Sequence, residues 1–438
     1  MTEPARPDAT RSRPGGRAVR APDEAAAFAV LTGPQAGDLL AAALGTTSER
    51  LEWRVDAVHH RPGDGVTVGY VVAQGGHGGD DGGDHGGDHG GARSGRGHGG
   101  AHGAGTRHGG TVEYLLASSS RSAPRDAPGV LVAHGPAGEV LVWRHPDDPM
   151  LPALRRACDP GLLAQALPGD WPVSTLELVG YRPLRRAVVR AERDGVTWYV
   201  KVLRPRDGHA DDVVARHLLL GAAGVPVPRV AYASDDGLVV LEALGGTPLL
   251  DVLVAGRTPA LAVVLEVLAR FPADALALPE RRPWSSRARA YASALEVRPA
   301  LAGRAHAVAA GVRAGLRSTD AGPVVPTHGD LHEGQLLVDG SGRVTGLLDV
   351  DTVGPGHLVD DVACLLAHVH AVHPSTPTLG DALRRWADEA RAFVDLEALR
   401  VRVAGVLLSL AAGAVPVGAD EPHTDSERLL TAAEAWLP

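Results

Sequence analysis

The stretch that most constrains this chain is Thr327-His328-Gly329-Asp330-Leu331-His332-Glu333-Gly334-Gln335, with the two apolar runs that follow it. Leu336 to Asp339 and Arg343 to Asp351 are joined by Asp339-Gly340-Ser341-Gly342, whose Asp-Gly pair and second glycine suit a tight reversal. The chain is therefore expected to run out and back as a β-hairpin. Gln335 begins the first strand and Asp349 ends the second, so both arrive at one end of the hairpin. Asp330 lies in the loop just before them. Three polar groups converging there suit a hard cation and a group that must lose a proton.

This arrangement resembles the catalytic segment of the aminoglycoside phosphotransferase family, small-molecule kinases with a protein-kinase-like fold. The matching residues are His328, Gly329, Asp330, His332 and Asp349. The resemblance implies that Asp330 orients the acceptor hydroxyl and takes its proton, that His328 braces the loop, and that Gln335 and Asp349 hold Mg2+. Gln335 stands where many members have Asn, a feature similar to the maltokinase-like branch. Asp361, in Asp360-Asp361-Val362-Ala363, matches the family's structural Asp that ties the loop down. Asp351 is read as a turn residue. A His-x-Asp-x-His metallohydrolase site is the competing reading of the same stretch; it would need further ligands near strand ends, and none is convincingly placed.

Composition supplies one sharp clue. Lys201 is the only lysine among 43 basic residues, and Asn and Ile are absent altogether. Such a bias suits a GC-rich genome in which Arg replaces Lys wherever either serves. The surviving lysine then marks a place where a compact ammonium is required and a planar fork will not do. Lys201 lies in Tyr199-Val200-Lys201-Val202 and matches the kinase strand lysine that contacts the nucleotide's α and β phosphates. The turn Arg182-Pro183-Leu184-Arg185-Arg186 falls where kinases fold a Gly-rich loop over the phosphates. It has no Gly-x-Gly, so contact would come from backbone amides or from Arg185 and Arg186. The predicted helix from Asp212 to Ala222 has no Glu to pair with Lys201; Asp211 or Asp212 is the available substitute. Leu238 to Gly246 resembles the inter-lobe hinge, with backbone groups around Glu242 and Leu244 reading the adenine edge.

The rest of the chain divides around these landmarks. Residues 1–25 read as a disordered tail and 26–168 as a β-rich cap domain. Half of residues 75–110 are glycine, interspersed with His and Asp; this segment reads as a flexible insertion, either a neutral expansion or an incidental binder of transition metals. Residues 172–246 read as a nucleotide-binding lobe and hinge, and 247–438 as a helical lobe holding the catalytic loop. The expected fold is α+β: a two-lobed kinase-like body with an additional N-terminal β-rich domain. The phrase from Val55 to Val68 can be laid over Leu176 to Val189, each an apolar strand meeting Arg-Pro at a turn, which suggests a degenerate copy of the nucleotide lobe's opening strands.

The function implied is an ATP- and Mg2+-dependent phosphotransferase acting on a hydroxyl of a sugar, aminosugar or aminoglycoside. An inert kinase-like scaffold that binds nucleotide is the alternative left by the missing Glu. The net charge of −9 argues against nucleic acid or an anionic membrane as partner. Cys158 and Cys364 are far apart in sequence and form no disulfide framework, and no leader-like or membrane-spanning run is seen, so a cytoplasmic enzyme is expected. Nothing in the sequence assigns an oligomeric state.

Overall fold

The computed structural model describes residues 21–61, 64–74, 112–135, 138–167, 173–205, 209–372, 376–413 and 424–438. They fall into two compact units, the first ending at His145 and the second running from Pro146. Most of the anticipated tail and the whole Gly/His insertion lie outside the described residues. The tail's expected last residues do not: Ala21–Thr32 is a helix, followed by a second over Ala36–Leu44.

In the first unit, β1 (Leu51–Arg61), β2 (Gly65–Gln74), β3 (Val112–Ser118), β4 (Leu131–Gly135) and β5 (Gly138–Arg144) form one antiparallel sheet of order β1-β2-β3-β5-β4. Val66, Val68, Tyr70 and Val72 recur every second residue, so β2 turns one apolar face to Leu31 and Leu40 of the helices. Tyr70 is fully buried, and its hydroxyl donates to the Leu31 carbonyl at 2.6 Å, which satisfies its polar end.

The second unit opens with β6 (Thr175–Arg182), β7 (Arg186–Arg193), β8 (Val196–Leu203), β9 (Val230–Ala233) and β10 (Leu238–Glu242). Their order, β6-β7-β8-β10-β9, repeats that of the first sheet, and the first strand of each sheet carries a bulge. One face is covered by Leu151, Leu154 and Leu163, which pack on Val189, Val200, Val202 and Val240. Residues 146–167, read from the sequence as the end of the cap domain, therefore belong to the nucleotide lobe. Leu203, Val239 and Leu241 turn to the opposite face and meet Val213 of the helix His209–Ala222. Strand alternation puts Lys201 on the side away from Val200 and Val202.

After β10 the chain enters the larger lobe through Ala243–Gly246. Gly246 is required there: at φ 142°, a β-carbon would lie 2.8 Å from Thr345 Oγ1 and 2.9 Å from Leu337 Cβ. β11 (Thr247–Pro248) joins a three-stranded sheet, while β12 (Val324–Thr327) is the strand that leads into the catalytic loop. The expected hairpin is present as β13 (Leu336–Val338) and β14 (Val344–Leu347), and β15 (Gly354–His357) pairs with β12. Around them stand the helices Pro299–Ser318, Leu358–Val372, Pro377–Glu389, Leu396–Gly413 and Thr424–Trp436. Two apolar-periodic segments of this lobe are not continuous helices: 258–271 has only Leu261–Leu265 as α-helix, and 285–297 has Ala288–Ala294 between 3-10 turns. Prolines at 259 and 272 bracket the first, and short apolar periods there serve packing without a continuous ladder. No single helix among the described residues is long and apolar enough to cross a membrane.

Candidate active site

The loop after β12 is clamped from several sides. Asp361, in the first turn of the helix Leu358–Val372, accepts the His328 N–H at 2.7 Å and the Gly329 N–H at 2.8 Å. Burial pushes the Asp361 carboxyl up to about 6, although His328 and the two backbone donors work against the rise. His328 is itself fully buried. Its Nδ1 accepts the Asp330 N–H at 3.3 Å, which assigns the proton to Nε2, the donor to the Leu348 carbonyl at 2.9 Å. Gly329 sits at φ 80°, where a β-carbon would be 2.9 Å from the Thr352 carbonyl oxygen. These contacts hold the loop in the shape that presents Asp330.

Asp330 is held by Trp284, whose indole N–H donates to Oδ1 at 2.9 Å. Arg281 brings Nη1 to 3.9 Å from Oδ2. The guanidiniums of Arg281 and Arg287 each lie 4.7 Å from the Trp284 ring centroid, so a cationic and aromatic cluster stands beside the carboxylate. The Asp330 side chain is about a fifth exposed at 22% and open to a small molecule.

Lys201 reaches from β8 to the far end of the hairpin. Its Nζ is 2.8 Å from Asp349 Oδ1 and 2.7 Å from Asp351 Oδ1. Burial works to lower the lysine pKa, but Asp351 and Asp349 outweigh it and leave it raised. The same burial would raise the Asp349 carboxyl; Lys201, helped by Arg186 with Nη1 3.9 Å away, holds it well below the usual carboxylate range. Asp349 adopts φ 52°, a left-handed backbone that turns its side chain back toward the lysine.

The Gln335 amide ends 3.0 Å from His332 Nε2 and 3.5 Å from Asp349 Oδ2. His332 accepts the Gly334 N–H on Nδ1 at 3.1 Å, so its Nε2 carries the proton and the amide atom facing it is the oxygen. As placed, the amide nitrogen donates to Asp349 Oδ2 at 3.5 Å; a half-turn of the amide sets its oxygen there instead. Burial, and next the stacked ring of His368 at 4.6 Å, bring the His332 pKa down to about 4, in keeping with a neutral ring. Two oxygen donors side by side, one an ionised carboxylate, fit a hard divalent cation.

A family model described as a phosphotransferase enzyme family matches residues 178–401, a little over half of the chain. The chain belongs to this phosphotransferase family. Similar solved structures include a thermostable mutant of aminoglycoside phosphotransferase APH(4)-Ia in its apo form, 16% identical with a TM-score of 0.45, covering 61% of this chain and 94% of that one. Another is macrolide 2'-phosphotransferase MphH from Brachybacterium faecium, 21% identical with a TM-score of 0.35, covering 60% of this chain and 91% of that one. Aminoglycoside phosphotransferase APH(3'')-Id from Streptomyces rimosus is 20% identical with a TM-score of 0.38, covering 53% and 92%. No curated protein sequence matches the chain.

The phosphotransferase brings Lys201, Asp349, Gln335, His328 and Asp361 together around the loop of Asp330. The acidic partners of Lys201 differ from those expected. Asp211 and Asp212 are exposed in the first turn of their helix, and the lysine instead bonds Asp349 and Asp351, the latter read from the sequence as a turn residue. The helix His209–Ala222 turns His217 inward, its Nδ1 donating to the Pro228 carbonyl at 2.8 Å. At the hinge, the Glu242 and Ala243 N–H groups are engaged by the Arg229 and Thr197 carbonyls at 2.9 and 3.1 Å, and the Glu242 carboxylate pairs with Arg229. Leu244 lies beyond these bonds. In the β6–β7 turn the Arg185 N–H closes on the Arg182 carbonyl, and Arg186 is the residue that approaches Asp349. Trp284 and Arg281 carried no sequence signal, because an aromatic and an arginine 46 and 49 residues before Asp330 meet it only through the tertiary fold. Among the described residues no group of three or more His, Cys, Asp and Glu is arranged as a metal site.

Proposed function

We propose that this phosphotransferase moves the γ-phosphoryl group of ATP, with Mg2+, to a hydroxyl of a sugar. The observation that carries the reading is the junction of Lys201, from a strand of the nucleotide lobe, with Asp349 and Asp351, from the catalytic lobe, next to the loop of Asp330. Lys201 and Arg186 supply positive charge where the phosphates of a nucleotide would lie. Gln335 and Asp349 would hold Mg2+, which when bound neutralises charge on the phosphoryl oxygens. Asp330 accepts the proton of the acceptor hydroxyl as its oxygen attacks phosphorus, and the Trp284 N–H fixes the carboxylate's orientation for that transfer. Leu244 and its neighbours at the hinge offer backbone groups to the adenine edge. His328 and Asp361 do not touch reactants; they hold the loop that presents Asp330.

Arg281 and Arg287 put positive charge beside the base, which supports a neutral sugar over a polycationic aminoglycoside as acceptor. The similarity of Gln335 to the maltokinase-like branch points the same way. ADP production from ATP and Mg2+ against a panel of neutral sugars, aminosugars and aminoglycosides tests the reading. Acceptor-dependent turnover with a neutral sugar is expected; turnover with aminoglycosides alone would overturn the acceptor class, and none with any acceptor would favour a nucleotide-binding scaffold.

A further inference from the structure

The turn between β6 and β7 occupies the phosphate side of the proposed site without any glycine. Arg186 brings its guanidinium to 3.9 Å from Asp349, and Arg182 interacts electrostatically with both Asp330 and Asp349. The Arg185 N–H closes the turn on the Arg182 carbonyl at 3.0 Å. Pro183 then stands second and Leu184 third, and Leu184 has φ 61°. A turn with proline second and positive φ third is the kind that ordinarily selects glycine at the third place, because a β-carbon is strained there.

What holds Leu184 in that conformation comes from outside the turn. The Leu184 N–H donates to Asp148 Oδ2 at 2.7 Å, and the Tyr181 hydroxyl donates to the same oxygen at 2.7 Å. The other carboxylate oxygen accepts the Met150 N–H at 2.9 Å. Arg204 Nε donates to the Leu184 carbonyl, so both peptide groups of the strained residue are gripped. Asp148 is 4% exposed and Leu184 3%. A buried carboxylate is a costly way to brace an ordinary surface turn, and here three donors converge on it. Its segment, 146–152, precedes every strand of the sheet that carries the turn.

We propose that Asp148 is a positioning residue for nucleotide phosphates: it locks the Arg182–Arg186 turn in a single shape, so that this enzyme meets the phosphates with a rigid arginine turn in place of a flexing glycine loop. The proposal rests on the nucleotide-binding reading above. Arg182 and Arg186 would be the groups that Asp148 holds in place, acting through Leu184.

Calorimetric titration of the full chain with ADP and, separately, with adenosine tests it. Adenosine lacks the phosphates, so damage to the lobe as a whole weakens both ligands, whereas release of the turn weakens ADP alone. Asp148→Asn keeps the volume but sets an NH2 group against one of the backbone donors, and ADP affinity should fall by about tenfold with adenosine unchanged. Tyr181→Phe removes one donor and leaves the Leu184 bond, so a fall of roughly twofold to threefold for ADP alone is expected. An unchanged ratio of ADP to adenosine affinity in Asp148→Asn overturns the proposal. If that variant does not fold, an unchanged ratio in Tyr181→Phe does so. A parent chain that binds neither ligand overturns the nucleotide reading and this inference together, while a parent that binds both with variants unaffected overturns the inference alone.

Discussion

Replacing Lys201 with Met removes a cation that lies within 3 Å of both Asp349 and Asp351. Those side chains are 22% and 9% exposed, so two like charges would be left side by side with little water. Breaking a buried ion pair from one side costs about 3–5 kcal/mol. The lower end applies here, because Asp349 keeps some contact with solvent and Arg186 remains 3.9 Å away. The loss should depend on pH with a definite sign. In the parent, Asp349 has a depressed pKa, so its contribution to stability is present above the ordinary carboxylate range and disappears as pH falls through the folded value. In Lys201→Met, burial and the neighbouring Asp351 carboxylate raise the Asp349 pKa, so the penalty is full at neutral pH and fades in acid as Asp349 takes up a proton. Urea unfolding should therefore show a gap between parent and variant of about 3 kcal/mol at neutral pH that narrows markedly near the ordinary carboxylate range. Added Mg2+ should restore more stability to the variant than to the parent, since a divalent ion can take the place of the lost charge. A gap below about 1 kcal/mol at neutral pH, the size of an exposed pair, or a gap that does not change with pH, would refute the assignment of Lys201 as the cation that neutralises this site.

Lys201→Arg keeps the charge but not its shape, and catalysis should fall by about tenfold or more because the fork cannot sit between two carboxylates as the ammonium does; parental activity would return Lys201 to an ordinary strand residue. Asp361 should give turnover an acid limb near its pKa of about 6, since protonation weakens its grip on the His328 and Gly329 amides, while stability moves the other way: its raised pKa favours the folded state in acid and that contribution is lost as pH rises through 6. A turnover profile flat from pH 5 to 8 would contradict this, with pH 5 and 8 taken as about one to two units either side. Removing residues 76–109 and closing the gap with a short turn should leave melting temperature and activity almost unchanged, because the flanking strands are already paired, Ala73 opposite Val112; a large loss of either would assign the segment a part in folding or regulation.

The catalytic hairpin was legible because it is local. Its turn, its two polar ends and the Asp330 loop lie within about 25 residues, and strand pairing alone brings Gln335 beside Asp349. Asp361 was legible through the resemblance, and its two amide bonds supply the physical reason for its place. Lys201 stood out through composition, an accident of a chain that uses Arg almost everywhere else. The partner of Lys201 was not legible, because the contact with Asp351 spans 150 residues and depends on how two lobes close, which no periodicity encodes. The same holds for Trp284 against Asp330 and for Asp148 under Tyr181 and Leu184: each rests on one or two polar bonds between distant segments. The boundary near residue 145 was missed because Leu151, Leu154 and Leu163 announce helices without saying which sheet they cover; their partners, Val189, Val200 and Val202, come later in the chain. By contrast, the shared strand order of the two sheets agrees with the Arg-Pro repeat read between Val55 and Val189.

The most direct test of the account separates binding from chemistry at Asp330. In Asp330→Asn the loop's backbone clamps and the Trp284 contact can persist, so nucleotide and acceptor should bind within about twofold of the parent, while single-turnover transfer of labelled phosphate from ATP to the acceptor hydroxyl slows by about 10²–10⁴-fold, the span general-base catalysis commonly contributes. Transfer within a few-fold of the parent, with binding intact, would contradict the assignment of Asp330 as the base and with it the mechanism built around the hairpin.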